Sequence, residues 1–240
     1  MEREIGLEGC VNFRDLGGYR ADGGSIRWRR LFRSDALHEL TPADVATLRD
    51  LGVSTVIDLR SDFERAHDGG PHPLEGAAAF VRAPIINEVN GRFMGDTDLS
   101  LAQRYARIME TTGTALADAV TAIAEAPGAA VFHCAAGKDR TGMVSAVVLG
   151  ALGVADADVV ADYAMTGRNL VGIQARLERH AAYKETYAYV PRDAMTADTG
   201  TMSELIADLR ARHGDMTALL GASGVGSEVV ERLRAALVGP

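Results

Sequence analysis

Val131-Phe132-His133-Cys134-Ala135-Ala136-Gly137-Lys138-Asp139-Arg140-Thr141-Gly142 is the stretch on which the reading of this chain turns. The apolar run Ala129–Phe132 follows Pro127-Gly128 and predicts a buried strand that ends at a cysteine. Five residues then separate Cys134 from Arg140, and Thr141-Gly142 opens an apolar helix. A tight loop at a helix start points successive backbone N–H groups inward and suits a phosphate dianion. Gly137 permits the turn, and Arg140 offers a planar fork to two phosphoryl oxygens. The same amides and helix dipole favour a thiolate at Cys134, able to attack phosphorus at neutral pH.

Upstream, Val53-Ser54-Thr55-Val56-Ile57-Asp58-Leu59 reads as a second buried strand after Gly52. Neither strand alternates apolar with polar, as expected of a sheet covered on both faces. Thr41-Pro42-Ala43-Asp44 precedes it as a helix start with proline at the first position and an acid in the first turn. Val45, Leu48 and Leu51 share a face of that helix, and Leu116, Val120 and Ile123 keep helical spacing ahead of the cysteine strand. Alternating helices and strands predict an α/β fold with a central, largely parallel sheet flanked by helices. Gly17–Arg33 reads as an antiparallel ribbon turning at Asp22-Gly23-Gly24. The last third reads as helical over 156–180, 202–213 and 227–238. His67–Gly76 and Asn87–Asp98 read as loops, and Tyr183–Thr201 as a polar connection. No long linker or repeat divides the chain, so one domain over 1–240 is expected.

Composition narrows the class. At 240 residues and 47% hydrophobic content the chain can bury a core, which argues against disorder. Its longest apolar stretches, around Met143–Leu152, are far short of the roughly 20 residues of a membrane span, so no integral membrane association is expected. A net charge of −8 makes nucleic acid and anionic membrane poor non-specific partners, so an anionic substrate needs a locally positive site. Met1–Gly6 shows no basic region leading into an apolar one, and Cys10 and Cys134 are too few for a disulfide framework. A cytoplasmic protein is expected, with export without a cleaved signal left open. No Cys/His cluster has metal-ligand spacing, so neither metal nor other cofactor is expected.

His133-Cys134-x5-Arg140-Thr141-Gly142 matches the signature of cysteine-based phosphatases. Asn12-Phe13-Arg14-Asp15-Leu16-Gly17-Gly18-Tyr19, Leu31-Phe32-Arg33-Ser34-Asp35, Val56-Ile57-Asp58-Leu59-Arg60-Ser61 and Gly137-Lys138-Asp139-Arg140-Thr141-Gly142 together resemble bacterial tyrosine/dual-specificity phosphatases of the mycobacterial protein tyrosine phosphatase B type. The similarity covers most of the chain, including Asp162-Tyr163 and the pattern from Ile206 to Leu237. It implies a protein tyrosine phosphatase-like fold and activity on phosphotyrosine, often with phosphoserine/threonine and phosphoinositide hydrolysis. The partner is then a phosphorylated protein or a phosphoinositide. A helical lid covers the site in some members, and 164–183 is the candidate here.

Residue roles follow. Cys134 is the nucleophile, forming a phosphocysteine. Arg140 and the amides of Ala135, Ala136, Gly137 and Lys138 through Arg140 hold the equatorial oxygens. Thr141 either donates its hydroxyl to the sulfur or caps the helix. His133 either orients the loop from below or fills the core. Trp28 is followed by Arg29, so no Trp-Pro-Asp loop supplies the acid. The resemblance supports Asp139 as that acid, with Asp96, Asp98 and Asp58 as rivals. Lys138 is a second cation at the mouth or a solvated lysine. Arg14, Asp15, Asp58 and Arg60 bind near the substrate or brace the loop as ion pairs, the latter being preferred for Asp15. Cys10 is a candidate disulfide partner for Cys134. A rhodanese-like sulfurtransferase and a non-catalytic phosphoprotein-binding module are the rival functions. Arg140-Thr141 speaks against the first and the presence of nucleophile, arginine and acid against the second.

Overall fold

The computed structural model describes residues 1–67, 73–180 and 191–240. Parts of the expected loop at 67–76, the connection at 183–201 and the lid candidate at 164–183 lie outside those residues. In chain order the elements are β1 (Arg14–Asp15), β2 (Arg20–Ala21), β3 (Gly24–Ile26), β4 (Leu31–Ser34), α1 (Pro42–Asp50), β5 (Val53–Asp58), α2 (Asp62–His67) and β6 (Ala79–Arg82). There follow α3 (Leu101–Thr111), α4 (Ala115–Glu125), β7 (Ala129–His133), α5 (Asp139–Ala151), α6 (Asp156–Met165), α7 (Leu170–Leu177), α8 (Thr199–His213), α9 (Met216–Ala222), α10 (Ser227–Leu237) and β8 (Val238–Gly239).

The main sheet has the order β1-β4-β7-β5-β6. β4, β7, β5 and β6 are parallel, and β1 joins β4 antiparallel. The two strands read from sequence are central neighbours, buried along almost their whole length. Val56 and Val131 face the layer of Phe32 and Leu48, while Ile57 and Phe132 face the layer of Val144 and Val147. Both faces are therefore dry, which is why neither strand alternates. α5 has buried side chains on every side, Met143, Val144, Ala146, Val147 and Leu149 among them. A helix apolar all round belongs in a core.

Three departures from the sequence reading have physical causes. The ribbon is narrower than Gly17–Arg33: β2 and β3 pair across Asp22-Gly23, but Leu31–Ser34 leaves for the main sheet. Leu31 and Phe32 are fully buried there against opposite faces, and β8 fills the ribbon's other edge. The helix expected over 156–180 is broken by a 3₁₀ turn at Thr166–Asn169 that brings the Thr166 hydroxyl to Arg14, 3.2 Å away. The loop at 87–98 contains a 3₁₀ turn, Gly91–Gly95, anchored by buried Asn90, whose Nδ2 donates to the Ile85 carbonyl at 3.0 Å.

The register pairs Ser34 and Asp58 with His133, so the carboxyl ends of β4, β5 and β7 lie side by side. Asp35, Arg60 and Cys134 thus follow one another across a single edge, the usual place for a ligand in an open α/β sheet.

The start of α1 carries more than its own helix. Asp44 closes a capping box with Thr41 and also accepts the Glu8 and Gly9 amides at 2.8 and 2.7 Å. Burial pushes its carboxyl up, but the amides of Thr41, Glu8 and Gly9 outweigh that and hold it below the usual range. Asp44→Ala is expected to lower stability by about 2 kcal/mol, with Asp44→Asn recovering part of the loss. Urea denaturation midpoints of the three proteins check this.

Candidate active site

The loop after β7 is held by its carbonyls. His133 Nδ1 lies 3.2 Å from the Cys134 carbonyl, and the Ala36 amide donates to the Ala135 carbonyl at 3.0 Å. Asn12 Nδ2 donates to the Ala136 and Gly137 carbonyls at 3.1 and 3.2 Å. Arg33 Nη2 donates to the Gly137 carbonyl at 2.8 Å. In a trans peptide the N–H points opposite the C=O. The amides of Ala135, Ala136, Gly137 and Lys138 are thereby turned away from these partners. Gly137 is required twice: its φ is +65°, and a Cβ would stand 2.6 Å from Asp35 N.

The donors are themselves fixed. Asp162 accepts from Arg14 Nε at 2.9 Å and Arg33 Nη1 at 2.5 Å, and Arg14 Nη1 donates to Asn12 Oδ1 at 2.7 Å. All four side chains are buried. Burial pushes the Asp162 carboxyl up, but Arg14 and Arg33 outweigh it and bring it to about 2. Burial and the neighbouring Arg14 lower Arg33 to about 10, so it stays charged at neutral pH. Arg14, expected near the substrate, therefore sits behind the loop as part of its brace. Asp15, expected in that brace, instead accepts the Gly17 and Arg29 amides at 2.7 and 2.8 Å and shapes the entry to the ribbon.

Arg140 is oriented by a residue the sequence reading did not single out. Glu64, on α2, takes its guanidinium through both carboxylate oxygens, with Nη2 to Oε1 at 2.7 Å. Ser61 fixes Glu64 in turn, its amide and hydroxyl each donating to Oε2 at 2.9 Å. Burial raises the Glu64 pKa, but Arg140 outweighs it and holds the group ionised. The only sequence signal was the spacing Ser61-x-x-Glu64, which reads as an ordinary helix start.

Asp58 and Arg60 form a buried two-pronged pair, Nε to Oδ1 at 2.9 Å and Nη2 to Oδ2 at 2.7 Å. Burial opposes the charge of Asp58, but His133 and Arg60 beside it hold its carboxyl far below the ordinary range. With Arg60 on both its oxygens, Asp58 is held ionised in the ligand-free protein. Both residues lie within the framework of the loop. His133 is fully buried, and burial lowers it to about 4 against the pull of Asp58. A neutral ring whose Nδ1 meets the Cys134 carbonyl is an orienting group.

Lys138 is neither solvated nor an open cation. It is 3% exposed, and its Nζ donates to Asp139 Oδ1 at 2.8 Å and approaches the Tyr105 hydroxyl at 3.3 Å. Tyr105, from α3, also donates to Asp139 and lies 3.2 Å from the Tyr163 hydroxyl. Burial pushes the Asp139 carboxyl up, but Lys138, Tyr105 and Arg140 hold it below its usual value. The Tyr163 ring lies so close to Gly142 that a Cβ there would be 2.8 Å from it. Asp96 accepts the Asp98 amide at 3.1 Å, a turn at the end of the 3₁₀ segment.

Thr141 Oγ1 is buried and has no hydrogen-bond partner among the described residues, so the expected bond to sulfur is not formed. Cys10 and Cys134 are both buried free thiols, so the disulfide considered from sequence is not formed. Burial and Asp35 push the Cys10 thiol well up, which disfavours its thiolate. The absence of metal spacing in the sequence did not anticipate His38, Glu39 and His180, which folding brings within 4.8 Å of one another.

A cysteine at the end of a central strand, a ring of turned amides and a braced arginine define a cradle for a phosphate monoester. The comparisons give that class its family. The sequence model of the tyrosine phosphatase family matches residues 5–239. The triple specificity protein phosphatase PtpB of Mycobacterium tuberculosis is 29% identical, over 97% of this chain and 98% of that protein. A tyrosine-protein phosphatase of Nostoc commune is 27% identical, over 85% of this chain and 73% of that one. This chain belongs to the tyrosine phosphatase family. Among the described residues no helix is long and apolar enough to cross a membrane.

Asp162→Asn leaves Arg14 and Arg33 buried without a counter-charge and is expected to cost about 3–5 kcal/mol at neutral pH. Because the folded pKa is depressed, this stabilisation is fully present above the unfolded value of about 3.9 and is lost as pH falls through about 2. Denaturant unfolding of both proteins across that window should show the gap closing.

Proposed function

We propose that the chain hydrolyses phosphotyrosine through a phosphocysteine formed on Cys134. The observation that carries this is the outward pinning of the loop carbonyls around a cysteine, with Arg140 held by Glu64. Cys134 sulfur attacks phosphorus as the phosphorus–oxygen bond to the leaving group breaks. The amides of Ala135, Ala136, Gly137 and Lys138, with Arg140, stabilise the equatorial oxygens. Water then attacks phosphorus, releasing inorganic phosphate and the thiolate. The Thr141 hydroxyl, which has no partner among the described residues of the ligand-free protein, is our candidate donor to that thiolate. α7 places Ile173 and Leu177 against Ala135 and Ala136, which supports reading the described part of the 164–183 lid candidate as cover for the loop.

Asp139 is our candidate for the acid that protonates the leaving oxygen. In the ligand-free protein Lys138 and Arg140 keep it ionised. A phosphate dianion in the cradle brings two negative charges beside it, which offsets those cations and raises its proton affinity. The substrate thus helps to load its own acid. Phosphoserine, phosphothreonine and phosphoinositides form the wider substrate range that we infer from the triple specificity relative. With Lys138 sequestered, headgroups richer in phosphate must find other cations.

Cys134→Ser is expected to abolish turnover while still binding inorganic phosphate; phosphate release near wild-type rates would contradict the mechanism. Asp139→Asn should slow tyrosine and alkyl phosphates by about 10²–10⁴-fold and p-nitrophenyl phosphate much less. Equal loss on all substrates would make Asp139 structural, and greater leaving-group sensitivity in Asp96→Asn, Asp98→Asn or Asp58→Asn would move the role there. The pH profile gives a further check. Removing the Lys138 charge raises the Asp139 pKa, so in Lys138→Met the basic limb of kcat/KM should move upward. A thiosulfate assay and a phosphopeptide-binding measurement cover the two rival functions.

A further inference from the structure

The His38, Glu39 and His180 cluster lies outside the machinery of phosphate transfer. His38 and Glu39 belong to the segment between β4 and α1, and His180 follows α7. The two Nε2 atoms stand 3.1 Å apart, and His180 Nε2 is also 3.1 Å from Glu39 Oε1. The rings meet edge-on at 76°.

Hydrogen bonds alone serve this arrangement poorly. His180 Nε2 carries at most one hydrogen and faces two close neighbours. If it donates to Glu39, it has no lone pair to accept from His38 and at best shares that one hydrogen. If instead His38 donates to it, its lone pair is spent and Glu39 faces it without a proton between them. Each protonation state therefore leaves one of the two short contacts badly served.

A divalent cation satisfies all three atoms at once. Tetrahedral zinc, bound at about 2.0–2.1 Å, holds its ligand atoms roughly 3.3 Å apart, close to the two 3.1 Å separations made by His180, with all three groups within 4.8 Å of one another. Two imidazoles and a carboxylate are three of the four ligands of a tetrahedral zinc, with water to complete the site. Glu39 is also oriented for the task. Its other oxygen, Oε2, accepts from Arg176 Nε at 3.1 Å and Arg179 Nη2 at 2.6 Å, which leaves Oε1 turned to His180. The cluster borders a small recess that it shares with Ala135, Ile173 and Leu177.

We propose that His38 Nε2, Glu39 Oε1 and His180 Nε2 bind a divalent transition metal, zinc by their donor chemistry, that clamps the end of α7 to the segment after β4. The metal is a structural pin. None of its ligands belongs to the phosphate cradle, and it fixes the helix whose Ile173 and Leu177 rest on the loop.

Zinc titration of the full-length Cys134→Ser protein by calorimetry tests this without competition from the reactive thiol. One zinc per chain is expected, with affinity falling by more than about 100-fold in Cys134→Ser/His38→Ala and Cys134→Ser/His180→Ala. Cobalt should give the intense visible bands of a tetrahedral site in the Cys134→Ser protein and lose them in both double variants. Melting temperatures in chelator establish that the variants fold, and Glu39→Gln, which keeps the side chain's shape, replaces any that does not. Undetectable binding, or equal binding in the variants, overturns the proposal. The readout is independent of turnover, so it stands or falls apart from the phosphatase reading.

Discussion

Four carbonyls of one short loop are held by hydrogen bonds to groups behind it, and the site depends on that constraint. His133, the Ala36 amide, Asn12 and Arg33 each take a carbonyl between Cys134 and Gly137. Peptide planarity then sets the direction of the amides that follow. A loop with free peptides would have to reorganise around each incoming anion, whereas here the cost is met on folding. This preorganisation makes a handful of amides an effective partner for charge in a transition state.

The pins connect the loop to distant parts of the chain. Asn12 and Arg14 come from the N-terminal segment, Arg33 from β4, and Asp162 from α6, so three regions must be assembled before the loop is shaped. The charges around it are nearly balanced. Asp58 holds Arg60, Glu64 holds Arg140, and Asp139 holds Lys138, while Asp162 is shared between Arg14 and Arg33. Among these described groups five cations face four carboxylates, and Arg65 lies a further 3.9 Å from Asp58. A chain with a net charge of −8 thus makes a place for a dianion through oriented dipoles and a local excess of cationic side chains, and a basic surface is not required.

Much of this was legible in the sequence because it is local. The strand, cysteine, Gly137, Arg140 and apolar helix are contiguous, and their spacing carries the geometry. The parallel sheet followed from two strands without alternation. What the sequence hid is made of long-range partners. Glu64 looks like a helix cap until α2 is placed opposite Arg140. Lys138 looks solvated until Tyr105 and Tyr163 close over it. β4 looked like part of a ribbon because its four residues are too few to declare a central strand, and only pairing with β7 does so. Asp15 was misplaced because it neighbours Arg14, yet successive residues of a strand point to opposite faces.

The account is tested most directly by observing the loop amides as an oxyanion arrives. Isotope-labelled Cys134→Ser protein titrated with inorganic phosphate allows each backbone amide to be followed by NMR. The amide resonances of Ala135, Ala136, Gly137 and Lys138 should move together along one binding curve, and Asn12→Ala should weaken that curve while the fold persists. Phosphate that binds while those four resonances stay still would contradict the account.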